Sequence, residues 1–246
     1  MKLSMLHTRR VITSLSLLVG ASLIGLSTSV LAQYTPPDRG LPGRREGGGT
    51  RGGTEACVVG DRSMVALIPE TVFGTTVKED PTLYWYVPAV NAVALEFLLY
   101  DEAGNEVFAQ TLPPTSEAGI VSIKVPTTGE GEQATSRLDV NEDYHWFFSI
   151  VCNESDRSAD VFAEGWVRRI PLTDPLDGQL QAVPPTQQAE VFADAGIWYD
   201  ALDANVQVRC EAPDDASLTN QWVDLLGSVG LEAVADASFT SACTAN

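Results

Sequence analysis

Between residues 57 and 170 apolar and polar positions alternate with a period of two, interrupted by turn residues. That period belongs to strands whose side chains point to opposite faces. The densest run is Tyr144 to Cys152. Tyr144, Trp146, Phe148, Ile150 and Cys152 share one face; His145, Phe147, Ser149 and Val151 share the other, only partly polar, face. This reads as a central strand covered on both sides. A polar turn over Asn153 to Ser158 then returns the chain as a strand over Val161 to Arg168. Upstream, Cys57 to Gly60 and Met64 to Pro69 read as short strands. Thr82 to Val87 is a strand bracketed by Pro81 and Pro88. Ala92 to Tyr100 and Glu106 to Leu112 form a hairpin around Asp101–Asn105. Gly119 to Val125 sets Val121, Ile123 and Val125 toward the core and Ile120, Ser122 and Lys124 toward solvent. About eight strands with turn signals every 8 to 12 residues predict a mainly β fold, an antiparallel β-sandwich. It is immunoglobulin-like in architecture only, because Ile150 rather than a Tyr stands two residues before Cys152.

The period changes beyond Pro171. Residues 171–185 read as a Pro- and Gln-containing connector, and 186–246 as a small C-terminal helical annex. Thr186 can cap a helix carrying Ala189, Phe192, Ala193, Gly196, Ile197 and Leu202 at spacings of three and four. A second helix starts near Asp214 or Asp215 and carries Leu218, Trp222, Leu225 and Leu226 before Gly227. The pair resembles one helical-repeat hairpin. One hairpin is no array, so an apolar stripe packed on the sandwich is the expected arrangement.

The start of the chain carries an address. Lys2, Arg9 and Arg10 precede an apolar run, and Val30-Leu31-Ala32 fits a cleavage site, so residues 1–32 read as a cleaved signal peptide. Arg9-Arg10 leaves twin-arginine export as the alternative to general secretion. Residues 33–54 are Pro- and then Gly-rich and read as a disordered tether. Their glycines match no phosphate-binding fingerprint. Residues 55–170 are left for the sandwich.

Charge narrows the partners. The chain has 15 basic and 33 acidic residues, a net of −18. Beyond Thr54 only eight basic residues face 31 acids. Such an acidic body repels nucleic acid and anionic lipid. No nucleic-acid partner and no membrane insertion after signal cleavage are expected, and the address is periplasmic or secreted.

An oxidising compartment fits the cysteines. Cys57, Cys152, Cys210 and Cys243 allow three pairings. Cys57–Cys152 with Cys210–Cys243 keeps each bridge within one region of sequence and is the expected pairing. Zinc is the rival, but no C-x-x-C spacing exists and His145 stands at no ligand spacing.

No catalytic, cofactor-binding or metal-ligating residue is assigned. His145 lies in the strongest strand, and a Ser-His-Asp site lacks its G-x-S-x-G elbow. With oxidised cysteines there is no thiol nucleophile. Asp101 to Glu106 lacks the alternating ligands of a calcium loop. Asn153-Glu154-Ser155 matches a glycosylation triplet. Arg168-Arg169 beside Trp166 is a basic, aromatic-flanked spot that suits an acidic or carbohydrate partner, or pairs with its own carboxylates. Tyr84 and Tyr86 form either a stacking platform or covered core. Carboxylates are plentiful enough for an acid pair of the glycosidase kind.

Several of these stretches occur together in one known family. They are Leu67-Ile68-Pro69, P-T-L-Y-W-Y-V-P at 81–88, L-E-F-L-L-Y-D-E at 95–102, G-I-V-S-I at 119–123 and Y-H-W-F-F-S-I-V-C-N at 144–153. D-R-S-A-D-V-F-A-E-G-W-V-R-R at 156–169 and G-I-W-Y-D-A-L at 196–202 continue the match. The chain is similar to exported cyanobacterial proteins grouped as domain of unknown function 928, from Cys57 to about Leu226. The last twenty residues, Cys243 among them, are not placed against the family. The resemblance implies export and an envelope setting, and supplies no activity. The expected function is therefore an exported, non-catalytic binding module of the cell envelope, with an envelope protein or a glycan as partner. The alternative is a carbohydrate-active hydrolase working with two carboxylates.

Overall fold

The computed structural model describes residues 33–37, 39–49, 57–127, 138–240 and 242–243, so the expected signal peptide over 1–32 lies outside the described residues. Eleven strands come first: β1 (Arg44–Gly49), β2 (Val58–Val59), β3 (Val65–Ala66), β4 (Phe73–Thr76), β5 (Thr82–Val87), β6 (Ala89–Val90), β7 (Ala94–Tyr100), β8 (Glu106–Leu112), β9 (Gly119–Lys124), β10 (Asp143–Val151) and β11 (Val161–Arg169). Four helices follow: α1 (Asp174–Ala182), α2 (Pro185–Asp194), α3 (Trp198–Glu211) and α4 (Ala216–Gly227). The sheet runs β8-β7-β10-β11-β1-β3-β5-β9, with β4 parallel to β11; β2 and β6 pair separately. The mainly β, sandwich-like fold expected from the alternation is present, as one curled sheet whose two leaves face each other.

Both leaves send large side chains inward. Trp85 from β5 meets Phe97, Trp146 and Phe148 from the opposite leaf, and all four are at most 1% exposed. The inward face of β10 is buried throughout, as the alternation requires. Its other face is not sealed: His145, Phe147 and Ser149 remain half-buried. The strand is central in the plane of the sheet, with β7 and β11 on either side, but only one of its faces is fully covered.

The expectation of a disordered tether fails where residues 33–54 are described. Tyr34 is buried and meets Trp198 edge-on, centroids 4.9 Å apart. Residues 44–49 form the strand at which the sheet turns from one leaf to the other, paired with β11 on one side and β3 on the other. Composition misleads here because the strand is held by its neighbours rather than by its own propensity. A Cβ on Gly47 would stand 2.8 Å from Val161 Cγ1 and 3.2 Å from the Met64 carbonyl, so a bare backbone is what fits. The arginines are engaged too. Arg45 donates to the Val229 carbonyl at 2.7 Å, and Arg39 pairs with Asp143.

The connector over 171–185 also contains structure, since α1 fills 174–182. Thr173 stands at its N-cap, Pro175 in the first turn, and Asp174 and Asp177 near the positive end of the helix dipole. The helix expected from Thr186 to Leu202 is two helices. Gly196, at φ +72°, takes the left-handed conformation, and Ile197 N–H reaches back to the Phe192 carbonyl. Asp215 caps α4 as expected, accepting from Ser217 N–H at 2.8 Å.

Helix α3 docks the annex on the sheet. Trp198, Tyr199, Ala201, Leu202, Val206 and Val208 are buried, and so are Asp200, Asp203 and Asn205. Trp198 Nε1 donates to the Leu67 carbonyl at 2.8 Å. Tyr199 Oη accepts from Trp146 Nε1 and donates to the Trp166 carbonyl, both at 3.0 Å. Both expected bridges are formed, Cys57–Cys152 and Cys210–Cys243, each with Cα atoms 5.4 Å apart. The second holds the last described segment against β9, where Ile120 N–H donates to the Ser238 carbonyl at 2.7 Å and Ile120 bridges Phe239 in parallel.

Candidate functional site

Where α3 crosses the far leaf, the sheet register assembles a polar cleft of about 200 Å³. Thr82 and Tyr84 alternate on one face of β5. Lys124 and Ser122 stand directly opposite them on β9. These four side chains make two rows of one surface. Lys78 and Asp80, from the loop between β4 and β5, close one end. Asp203 and Gln207, one turn apart on α3, form the far wall, with Ala242 beside them.

The wall is tied together at Asp203. Its carboxylate accepts from Tyr84 Oη at 2.6 Å, from Lys78 Nζ at 2.6 Å and from Gln207 Nε2 at 2.8 Å. Burial and the neighbouring carboxylate push the Tyr84 hydroxyl well above its ordinary range, so it stays a donor. Burial pulls Lys78 down, but Asp203 close by outweighs it and the ammonium is net stabilised. At the mouth Lys124 pairs with Asp80 at 3.0 Å. Ser122 differs from its neighbours. It is 8% exposed, it lines the cleft, and its Oγ has no hydrogen-bond partner.

A second carboxyl of α3 is buried away from the cleft lining. Asp200 is 1% exposed and accepts from Val77 N–H at 3.1 Å. Burial raises it to about 6, against the opposing effects of Thr76 and Lys78. Asp200 and Asp203 stand three apart on the same helix. Asp200 is buried and absent from the cleft lining, and Asp203 is occupied by three donors, so they do not flank an open space as an acid and a nucleophile do.

The residues singled out in the sequence fall elsewhere. His145 lies on the half-covered face of β10, stacked on Trp166 with centroids 4.1 Å and planes 3° apart, its Nε2 3.1 Å from Glu164. Burial lowers its pKa, with Glu164 opposing. Arg168 donates to Asp143 at 2.6 Å, and Arg169 to the Leu138 carbonyl at 2.8 Å. Tyr84 and Tyr86 are both buried, so neither offers an open ring face. The Asp101 turn is closed by its own Asn105, which gives its backbone N–H and its side-chain amide to Asp101 at 2.8 Å each. Asn153 Oδ1 accepts from Ser155 N–H. Among the described residues no group of three His, Cys, Asp or Glu is arranged to hold a metal ion.

The cleft was not visible in the alternation. Ser122 and Lys124 had been expected on a solvent face, which α3 and the closing segment largely cover; Lys124 alone stays exposed. The available signal was Asp200 and Asp203 set among Ile197, Trp198, Tyr199, Leu202 and Val206, where an acid must be paired.

No curated protein and no solved structure matches the chain significantly. A family model described as Domain of Unknown Function (DUF928) matches residues 46–239, which takes in the sheet from Glu46 of β1 onward, the four helices and every side chain of the cleft except Ala242. The chain therefore belongs to the DUF928 family.

Proposed function

We propose that this protein is an exported, non-catalytic binding module of a cell envelope, cyanobacterial by its family resemblance, that recognises an envelope glycan or protein. The observation that carries the reading is the pair of disulfides, which suits the oxidising compartment that the expected signal peptide would lead to. No helix among the described residues is long and apolar enough to cross a membrane. The acidic surface argues against nucleic acid and anionic lipid as partners.

Binding is favoured over hydrolysis by the state of the two carboxyls on α3. A two-carboxylate hydrolase needs a proton donor that touches its substrate. The carboxyl raised to about 6 is Asp200, which is 1% exposed and does not line the cleft. The test is cross-linking of the exported protein in intact envelopes, paired with glycan-array binding. A specific partner in either supports the module; blanks in both end it. Release of reducing sugar from envelope polysaccharide, lost on Asp203→Asn, would favour the hydrolase instead.

A further inference from the structure

The cleft under α3 has a lining that specifies a chemical class. We propose that it is a subsite for one neutral, hydroxyl-rich ring, such as a single sugar residue of a glycan. This rests on the binding-module reading and names what the module holds.

Ser122 is one of the residues that line the cleft, and its Oγ is buried and has no hydrogen-bond partner. A buried hydroxyl without a partner is costly, and a ligand that bonds to it removes that cost. An apolar ligand would leave it unpaired. The formal charge around it balances: Lys78 is matched by Asp203 and Lys124 by Asp80. An anion would have to compete with carboxylates already seated on both ammonium groups. It would also approach a strongly acidic body.

A neutral hydroxyl faces neither obstacle, because it donates and accepts at once. The lining alternates to suit it. Each ammonium has three hydrogens, of which its carboxylate pairing uses one. Thr82 and Ser122 add hydroxyls, and Gln207 an amide. Asp203, already holding three donors, is a positioning residue that fixes Tyr84, Lys78 and Gln207. The volume of about 200 Å³ limits the occupant to one ring.

The test uses the full, disulfide-intact protein and amide chemical-shift mapping. The probes are glucose, galactose, mannose and N-acetylglucosamine, their linear dimers, and glucuronate and inorganic phosphate as anionic controls. At least one neutral sugar is expected to shift the amides of Thr82, Ser122 and Lys124, and to bind about tenfold more tightly than either anion. A dimer that binds more tightly than its monomer identifies a glycan end rather than a free sugar as the occupant. Ser122→Ala should weaken binding by about fivefold, the loss of one hydrogen bond. Ser122→Leu, which fills the space, should abolish it. Denaturation midpoints no lower than that of the wild type certify both variants as folded, and Thr82→Val serves in place of either that is not. Shifts that map to the Tyr100–His145–Trp166 face, sugar affinity indifferent to these substitutions, or preference for phosphate or glucuronate would each overturn the subsite while leaving the module intact. Failure of every sugar, with an envelope protein captured by cross-linking, overturns the subsite alone; failure of both overturns the module as well.

Discussion

Trp85 lies face to face on Phe148 across the two leaves, ring centroids 4.4 Å and planes 13° apart. Both side chains are fully buried, and Phe97 and Trp146 meet the same indole edge-on. Truncating either member of the stack leaves a cavity that rigid strands cannot close. Trp85→Ala or Phe148→Ala is expected to cost about 3–5 kcal/mol in urea denaturation. A loss below about 1 kcal/mol would mean that the leaves do not meet there.

The bridges make a second expectation. In the denatured, unreduced protein no thiol should react, and reduction should release all four. Removing Cys57–Cys152 as a double Ala variant should cost about 4–5 kcal/mol, and removing Cys210–Cys243 about 3–4, because the first closes the longer loop. Four reactive thiols before reduction would undo both the pairing and the exported address.

Asp200 gives stability a pH dependence of known sign. Its folded pKa of about 6 lies above the ordinary aspartate value of about 3.9. The folded state therefore keeps the proton longer than the unfolded chain does. This group's contribution falls as pH rises from about 4 to about 6 and is level above that. Asp200→Asn, which has nothing to titrate, should gain on the wild type by about 2–3 kcal/mol between pH 4 and pH 7. Parallel urea midpoints at the two pH values would show no such divergence if the carboxyl were solvated.

Gly47 distinguishes a packed strand from a tether. Its missing Cβ would press on Val161, on Met64 Cβ at 3.1 Å and on backbone. Gly47→Ala should cost about 1–3 kcal/mol. Gly40→Ala meets nothing within 4 Å and should be nearly silent. Equal, negligible effects would return this stretch to the solvent.

What the sequence discloses follows from where the physics is local. The hairpin of β7 and β8, the run of β10 and the bracketed β5 were readable because alternation and turn residues act within a few positions. Of the three pairings that four cysteines allow, the one formed is the one that keeps each bridge within one region of sequence. Strand β1 was not readable, because its glycines are ordered by Val161 and Met64 from elsewhere in the chain. Helix α1 hid behind prolines that open a helix as readily as they break one. The break at Gly196 looked like one more small residue on an apolar stripe, although its positive φ ends α2 there. The cleft was hidden for a related reason. Its acids sit in a helix covered on nearly all sides, and only the partners Lys78 and Tyr84, more than a hundred residues earlier, explain them.

Strand β9 ends the sheet, and an end strand invites pairing by another chain. Here the stretch from Ser238 to Thr240 occupies part of that row, and the link from Cys243 to α3 keeps it there. That sulfur–sulfur bond is thus also a guard against intermolecular sheet growth. Were that bond alone removed, the Ser238–Thr240 stretch would lose its covalent hold, and the outer row of β9 would be left for another strand to pair with.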